Sequence, residues 1–188
     1  MGLRTTIVIG AARGIGAATA ELLAQRGDSV ILADRAGDDP RLPYPLATRE
    51  DLESAAERAR AMAADPSLIS TAIVDICDVD GLEQTLADAE ALRGGIDAVV
   101  VTAGVIAGGV PLWAMPANEL QAILEVNLQG TINAARAGIP ALLRRSSPRE
   151  GRFVVVGSAA GRRGMPMITA YGAAKAGVIG LVRGLADG

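Results

Sequence analysis

The 188-residue chain carries 18 Lys and Arg against 21 Asp and Glu and no histidine, a formal charge of −3 that gives no reason to expect a nucleic-acid partner. With Cys77 as its one cysteine and no histidine, it offers neither an internal disulfide nor a zinc-type ligand set, and no metal site is expected. Half of the residues are hydrophobic but only 2% are aromatic, so one domain over 1–188 must build its core from Ala, Val, Ile and Leu, which suits helices packed closely on a parallel sheet.

Apolar runs of strand length alternate with longer helical patterns, the signature of repeated β-α units and a doubly wound α/β fold with helices on both faces. Strands are expected at Leu3–Ile9, Ser29–Asp34, Ser70–Asp75, Ile96–Thr102 and Arg152–Val156. Helices are expected at Gly14–Arg26, Thr48–Ala64, Asp80–Leu92, Asn118–Arg144 and Thr169–Ala186. Pro140 should kink the fourth helix or end it early. The N-terminal apolar run is short and soon followed by Arg13, so it reads as a first strand rather than a signal peptide, and a cytoplasmic protein fits. Residues 98–118 carry no charge, yet Gly104, Gly108, Gly109, Pro111 and Pro116 interrupt them, so no membrane span is expected.

After the first strand comes G-A-A-R-G-I-G, with Gly10, Gly14 and Gly16 in the turn and at the helix start. Glycines let backbone approach a ligand, and the free amides at a helix start favour phosphate. Strand, turn and helix follow in the order that a dinucleotide site requires. The second strand ends at Asp34, where a carboxylate can accept hydrogen bonds from ribose hydroxyls; this favours NAD, because a 2′-phosphate would meet a negative charge. Arg13 and Arg35 point mildly the other way, since either can pair with that phosphate.

Residues 36–48 hold Pro40, Pro43 and Pro45, which cannot support a helix interior, so an ordered excursion is expected there. It either covers the cofactor or is a surface insertion. Thr48, followed by Glu50 and Asp51, reads as the cap of the next helix. Asp75 and Ile76 fall at the end of the third strand, where Asp75 can hydrogen-bond an adenine amino group and Ile76 can pack on its ring; nearby Asp78 reads as a helix cap. Ala103 and Gly104 end the fourth strand and let backbone approach a cofactor, or simply permit a tight turn. Asn127 lies on the apolar stripe of the long helix, so its amide must find buried partners. Ser158 follows the fifth strand. Tyr171 and Lys175 lie four apart, on one helix face, where the ammonium favours the ionised phenol. Without histidine, that pair is the strongest acid-base device in the chain.

Taken in order, G-A-A-R-G-I-G, Asp34, V-D-I-C-D, T-A-G, V-N-L-Q-G, V-V-G-S and Y-G-A-A-K resemble the short-chain dehydrogenase/reductase family across essentially the whole chain. The resemblance implies a Rossmann-type sheet and NAD-linked interconversion of an alcohol and a carbonyl. Tyr171 would be the acid or base, Lys175 would bind the nicotinamide ribose and lower the tyrosine pKa, Ser158 would orient the substrate oxygen and Asn127 would hold a relay water. Gly10, Arg13, Gly14, Ile15, Gly16, Asp34, Arg35, Asp75, Ile76, Ala103 and Gly104, with Tyr171 and Lys175, would contact the cofactor. The chain departs from the family pattern at Ile9, usually threonine, and at V-T-A-G, commonly N-N-A-G. Family members continue with further strands and a substrate-covering segment that these 188 residues do not contain.

The proline-rich loop narrows the resemblance to the mycofactocin-associated branch, which implies NAD held on the protein and mycofactocin as electron acceptor. Family likeness also implies a homodimer or homotetramer built on the helices near Asn118 and Thr169. An NADPH-dependent carbonyl reductase of 3-oxoacyl type, and a non-catalytic dinucleotide-binding module, are the other readings.

Overall fold

The computed structural model describes residues 3–145 and 150–186. Strands β1 (Thr5–Ile9), β2 (Ser29–Asp34), β3 (Ile69–Ile73), β4 (Ala98–Val101) and β5 (Arg152–Val155) form one sheet in the order β3-β2-β1-β4-β5. Every pairing is parallel, with Ile9 beside both Ala33 and Val101. Parallel neighbours need crossover connections, and the helices supply them: α1 (Gly14–Gln25), α2 (Arg49–Met62), α3 (Val79–Arg93), α4 (Ala117–Leu124), α5 (Gly130–Leu143) and α6 (Thr169–Ala186).

The alternation of side chains along a strand divides the core in two. Ile7, Ile9, Ile31, Ala33, Val99 and Val101 face α3, α5 and α6. Val8, Val30 and Leu32 face α1 and α2, whose inner positions are alanines: Ala17, Ala20 and Ala24 opposite Ala55, Ala56 and Ala59. Small side chains let those two helices sit close together, so the aromatic-poor composition can still pack the interior closely.

The expected elements are all present, with ends that shift by a few residues. The expected β3 runs too far: it closes at Ile73, so Asp75 and Ile76 lie beyond it, in the turn leading to α3. Thr48 caps α2 as expected, in a reciprocal arrangement with Asp51. Asp78 caps α3 through the amide of Gly81. The fourth helix differs from expectation. Pro140 does not end it early; the helix continues to Leu143, with Pro140 in its last turn, where its missing N–H forgoes a single bond, to the Arg136 carbonyl. The irregularity lies elsewhere: a π turn at Glu125–Gln129 separates α4 from α5 and is centred on Asn127.

β1 occupies the middle of the sheet, and the chain leaves it first toward β2 and β3 and then returns to β4 on the other side. Loops from the ends of β1 and β4 therefore diverge to opposite faces, opening a crevice at the carboxyl edge of the sheet where open α/β sheets bind ligands.

Candidate active site

The crevice is lined on its floor by Ile9, Gly10, Thr102, Ala103 and Gly104, on one side by Arg13, Asp34, Arg35, Asp75 and Ile76, and above by Leu46 and Ala47. Gly10 has a φ of 91°, and a Cβ there would stand 2.4 Å from the Ala103 nitrogen. A Cβ on Gly16 would meet the Gly10 carbonyl oxygen at 2.1 Å. Both positions exclude larger residues because backbone crosses backbone. α1 begins at Gly14 with no side-chain cap and no acidic residue in its first turn. Its leading amides and the positive end of its dipole are thus left for an anion.

Asp34 is held by two amides: Oδ2 accepts from Ala12 at 3.0 Å and Oδ1 from Ala36 at 3.0 Å. Each oxygen keeps a lone pair for a hydroxyl donor. The two arginines read as 2′-phosphate candidates differ. Arg35 is engaged, its Nη1 donating to Asp39 at 3.1 Å and its Nε standing 3.4 Å from Asp75. Arg13 is exposed at the mouth. Asp75 also accepts the Cys77 amide at 2.9 Å, a local turn that fixes its carboxylate. Ile76 is buried, and one side of it packs against Gly130. Ile15 is 63% exposed at the helix start and does not line the crevice.

Of the second group of expected residues, Asn127 and Lys175 meet at Gly104. A Cβ on Gly104 would lie 2.8 Å from Asn127 Oδ1 and 3.7 Å from Lys175 Nζ, so this glycine keeps the passage to the lysine open. Lys175 is buried; its Nζ donates to the Val156 carbonyl at 3.0 Å and stands 5.8 Å from the Tyr171 ring centroid. Burial pushes its ammonium below the usual lysine value. The one-turn helix at Ala159–Gly161 lies directly on α6: a Cβ on Gly161 would meet the Lys175 backbone at 2.7 Å, and one on Gly172 the Ala160 oxygen at 3.0 Å. That contact fixes Ser158 relative to Tyr171 and Lys175. Ser158 Oγ accepts from the Ala160 amide at 3.1 Å, which leaves its own hydroxyl hydrogen to donate.

Asn127 is fully buried, and its amide is committed: Nδ2 donates to Val105 at 2.7 Å and to Ile123 at 2.9 Å, and Oδ1 accepts from Val105 at 3.2 Å. Both amide hydrogens are spent, so the side chain anchors the Val105 segment instead of offering a donor to a water. Its backbone carbonyl accepts from Thr131 Oγ1 at 2.7 Å.

Sequence reasoning passed over Thr102, whose hydroxyl donates toward the Ile9 and Gly10 carbonyls, each at 2.9 Å, and so ties β4 to the first turn. It also missed what residues 35–47 do. They form a strap from the end of β2 across the crevice. Tyr44 Oη accepts from the Ile106 amide at 3.0 Å, Asn118 Nδ2 donates to the Arg41 carbonyl at 3.2 Å, and Arg41 pairs with Glu125 of the π turn. The prolines signalled an ordered loop; nothing local signalled a partner such as Glu125, far along the chain.

The residues present fit a dinucleotide: a glycine turn against an uncapped helix start, a held carboxylate with free lone pairs, and an open approach to a buried lysine. Fold and site together define a Rossmann-type α/β protein whose crevice fits a dinucleotide. The chain belongs to the short-chain dehydrogenase family, whose model, short chain dehydrogenase, matches residues 4–188. It is 33% identical over 185 residues to (-)-trans-carveol dehydrogenase of Rhodococcus erythropolis, an alignment covering 97% of this chain and 64% of that protein. Among solved structures, carveol dehydrogenase from Mycobacterium avium in complex with NAD superposes with a TM-score of 0.88 at 35% identity, covering 96% of this chain and 64% of that one. A short chain dehydrogenase from Mycobacterium paratuberculosis bound to NAD gives 0.88 at 32% identity, covering 98% and 66%. The chain thus spans about 64% of the length of the carveol dehydrogenases it matches.

Burial of Lys175 makes stability depend on pH in a defined direction. Its folded value lies below the usual 10.5 to which unfolding returns it. At a pH below the folded value both states hold the proton, and the buried charge costs stability. As pH rises through that value the folded state releases the proton first, so stability grows until about pH 10.5. Lys175→Met removes this linkage. Urea unfolding of both proteins as pH is raised toward about 10.5 should show the native protein gaining stability relative to the variant; a pH-independent difference would contradict the burial effect.

Proposed function

We propose that the protein is an NAD-dependent oxidoreductase that interconverts a secondary alcohol and its ketone, with Tyr171 as acid and base. The observation that carries this reading is the buried Lys175, whose Nζ stands 5.8 Å from the Tyr171 ring centroid and 3.7 Å from where a Cβ on Gly104 would lie, beside a crevice that fits a dinucleotide. Gly10, Gly14 and Gly16 leave room for the phosphates, Asp34 receives the adenosine ribose, and Asp75 and Ile76 flank the adenine. Ala103 and Gly104 line the path to the nicotinamide end. When bound, NAD supplies the hydride acceptor. Two solved structures similar to this chain are described as NAD-bound, which supports the choice of cofactor.

In the oxidation direction, the phenolate of Tyr171 takes the hydroxyl proton as the carbinol C–H bond breaks and the carbonyl forms. The charge of Lys175, facing the tyrosine ring, offsets the negative charge on the phenolate. Nζ keeps two hydrogens beyond the one directed at Val156, and a ribose hydroxyl can accept them. Ser158 donates its free hydroxyl hydrogen to the substrate oxygen and fixes its position. Asn127 holds Val105 and the loop after β4, and its backbone carbonyl, inside the π turn, is the place for a relay water. In reduction each transfer runs backward.

The strap supports the narrower assignment to the mycofactocin-associated branch. Leu46 and Ala47 stand over the crevice, and a dinucleotide leaving beneath them must displace the contacts at Tyr44 and Arg41. Retained NADH then passes its electrons to mycofactocin. We place the protein in the cytoplasm, as a homodimer or homotetramer joined through the apolar face of α4 and α5, where Leu124 is 39% exposed beside Leu120, Leu128 and Ile132.

Tyr171→Phe keeps the ring and removes the proton carrier. In the full-length protein it should lower turnover of secondary alcohols by about 100-fold or more while NAD affinity stays near the native value. Activity within a few-fold of native would overturn the assignment of Tyr171. Purified full-length protein is expected to carry NAD through prolonged dialysis and to have its NADH reoxidised by an artificial acceptor; free exchange of NAD would contradict the retention role of the strap.

A further inference from the structure

Asp39 is the most deeply buried carboxylate among the described residues, 3% exposed, and nothing in the sequence pattern singles it out. It sits inside the strap between two guanidinium groups. Arg41 grips it with both forks, Nε to Oδ1 at 2.9 Å and Nη2 to Oδ2 at 2.7 Å, and the Arg41 amide adds a bond at 3.0 Å. Arg35 Nη1 donates to Oδ2 at 3.1 Å. These partners, Arg41 first, hold its carboxyl well below the usual range, so it remains charged. The pairs extend outward to Asp75 at one end and to Glu125 at the other, giving alternating charges from the turn after β3 to the π turn.

The consequence falls on Arg35, the cation next to Asp34 that lines the crevice. A free guanidinium at that position would grip a 2′-phosphate with two parallel hydrogen bonds. Here one face of the fork is spent on Asp39 and its Nε faces Asp75. We propose that Asp39 is a positioning residue for cofactor selectivity, a buried anion that holds Arg35 away from the ribose 2′ position and so keeps the site closed to NADP. This rests on the NAD reading above and adds to it: Asp34 repels the phosphate directly, while Asp39 withdraws the cation that would otherwise compensate.

The test compares dissociation constants for NAD and NADP in the full-length protein, native and Asp39→Asn, by titration calorimetry at low ionic strength. Asn keeps the shape and removes the charge, freeing Arg35 to turn. The ratio of NADP to NAD affinity should rise by about tenfold, the scale of one charge-assisted hydrogen bond. Arg35→Ala added to Asp39→Asn should abolish that gain. If Asp39 only secures the strap, its loss weakens both dinucleotides alike and leaves the ratio where it was; an unchanged ratio in folded Asp39→Asn therefore overturns the proposal.

A second variant keeps the test open if Asp39→Asn fails to fold. Arg35→Gln alone should leave the native ratio unmoved, because the guanidinium is already withheld. A selective loss of NADP affinity in Arg35→Gln would show that Arg35 reaches the phosphate and would overturn the proposal. Native protein that binds neither dinucleotide, or prefers NADP, would instead remove the NAD reading on which the proposal stands.

Discussion

The crevice depends on the crossing of two backbones at Gly10 and Ala103. The Ile9 carbonyl accepts the Thr102 and Ala103 amides at 2.8 and 2.9 Å, and the Ala33 carbonyl accepts the Gly10 amide at 2.8 Å. The ends of β1, β2 and β4 are thereby fastened at one level. With Gly16 seated on the Gly10 carbonyl, the start of α1 is fixed to the same point. A side chain at either glycine would push the helix away from the sheet and close the space in front of its free amides. The crevice is thus a product of how closely main chains pass, and the side chains lining it are secondary to that.

Two layers of electrostatics rest on this frame. On the β2 side, carboxylates and guanidiniums alternate through the strap, which keeps charge in a partly buried region without leaving a lone ion. On the β5 side a single ammonium is buried against one carbonyl, and its cost in stability is tolerated where it can act on a tyrosine. In the proposed function the two sides have different tasks: one selects and holds, the other moves a proton.

Much of this was legible in sequence where the signal is local. Strand and helix alternation revealed the parallel sheet, the four-residue spacing placed Tyr171 and Lys175 on one face, and α6 has the bounds expected of it. Asp34 and the glycine turn were readable because strand, turn and helix must follow in order. What escaped was non-local or subtle. Arg41 meets Glu125 only after the sheet brings distant segments together, and no periodicity records such a pair. The π turn adds one residue to a helical repeat, which an apolar stripe does not reveal, and it is what turns Asn127 toward Val105. The prolines excluded a helix at 36–48 without showing where the loop would lie.

The most direct measurement is a crystal structure of the full-length protein grown with NAD. The adenosine ribose hydroxyls should lie on Asp34, with Arg35 still turned to Asp39, and the nicotinamide end should lie beside Gly104 within reach of Lys175 and Tyr171. A crevice empty at saturating NAD, or a dinucleotide bound with its nicotinamide away from Tyr171, would contradict the assignment of both the cofactor site and the proton-transfer centre.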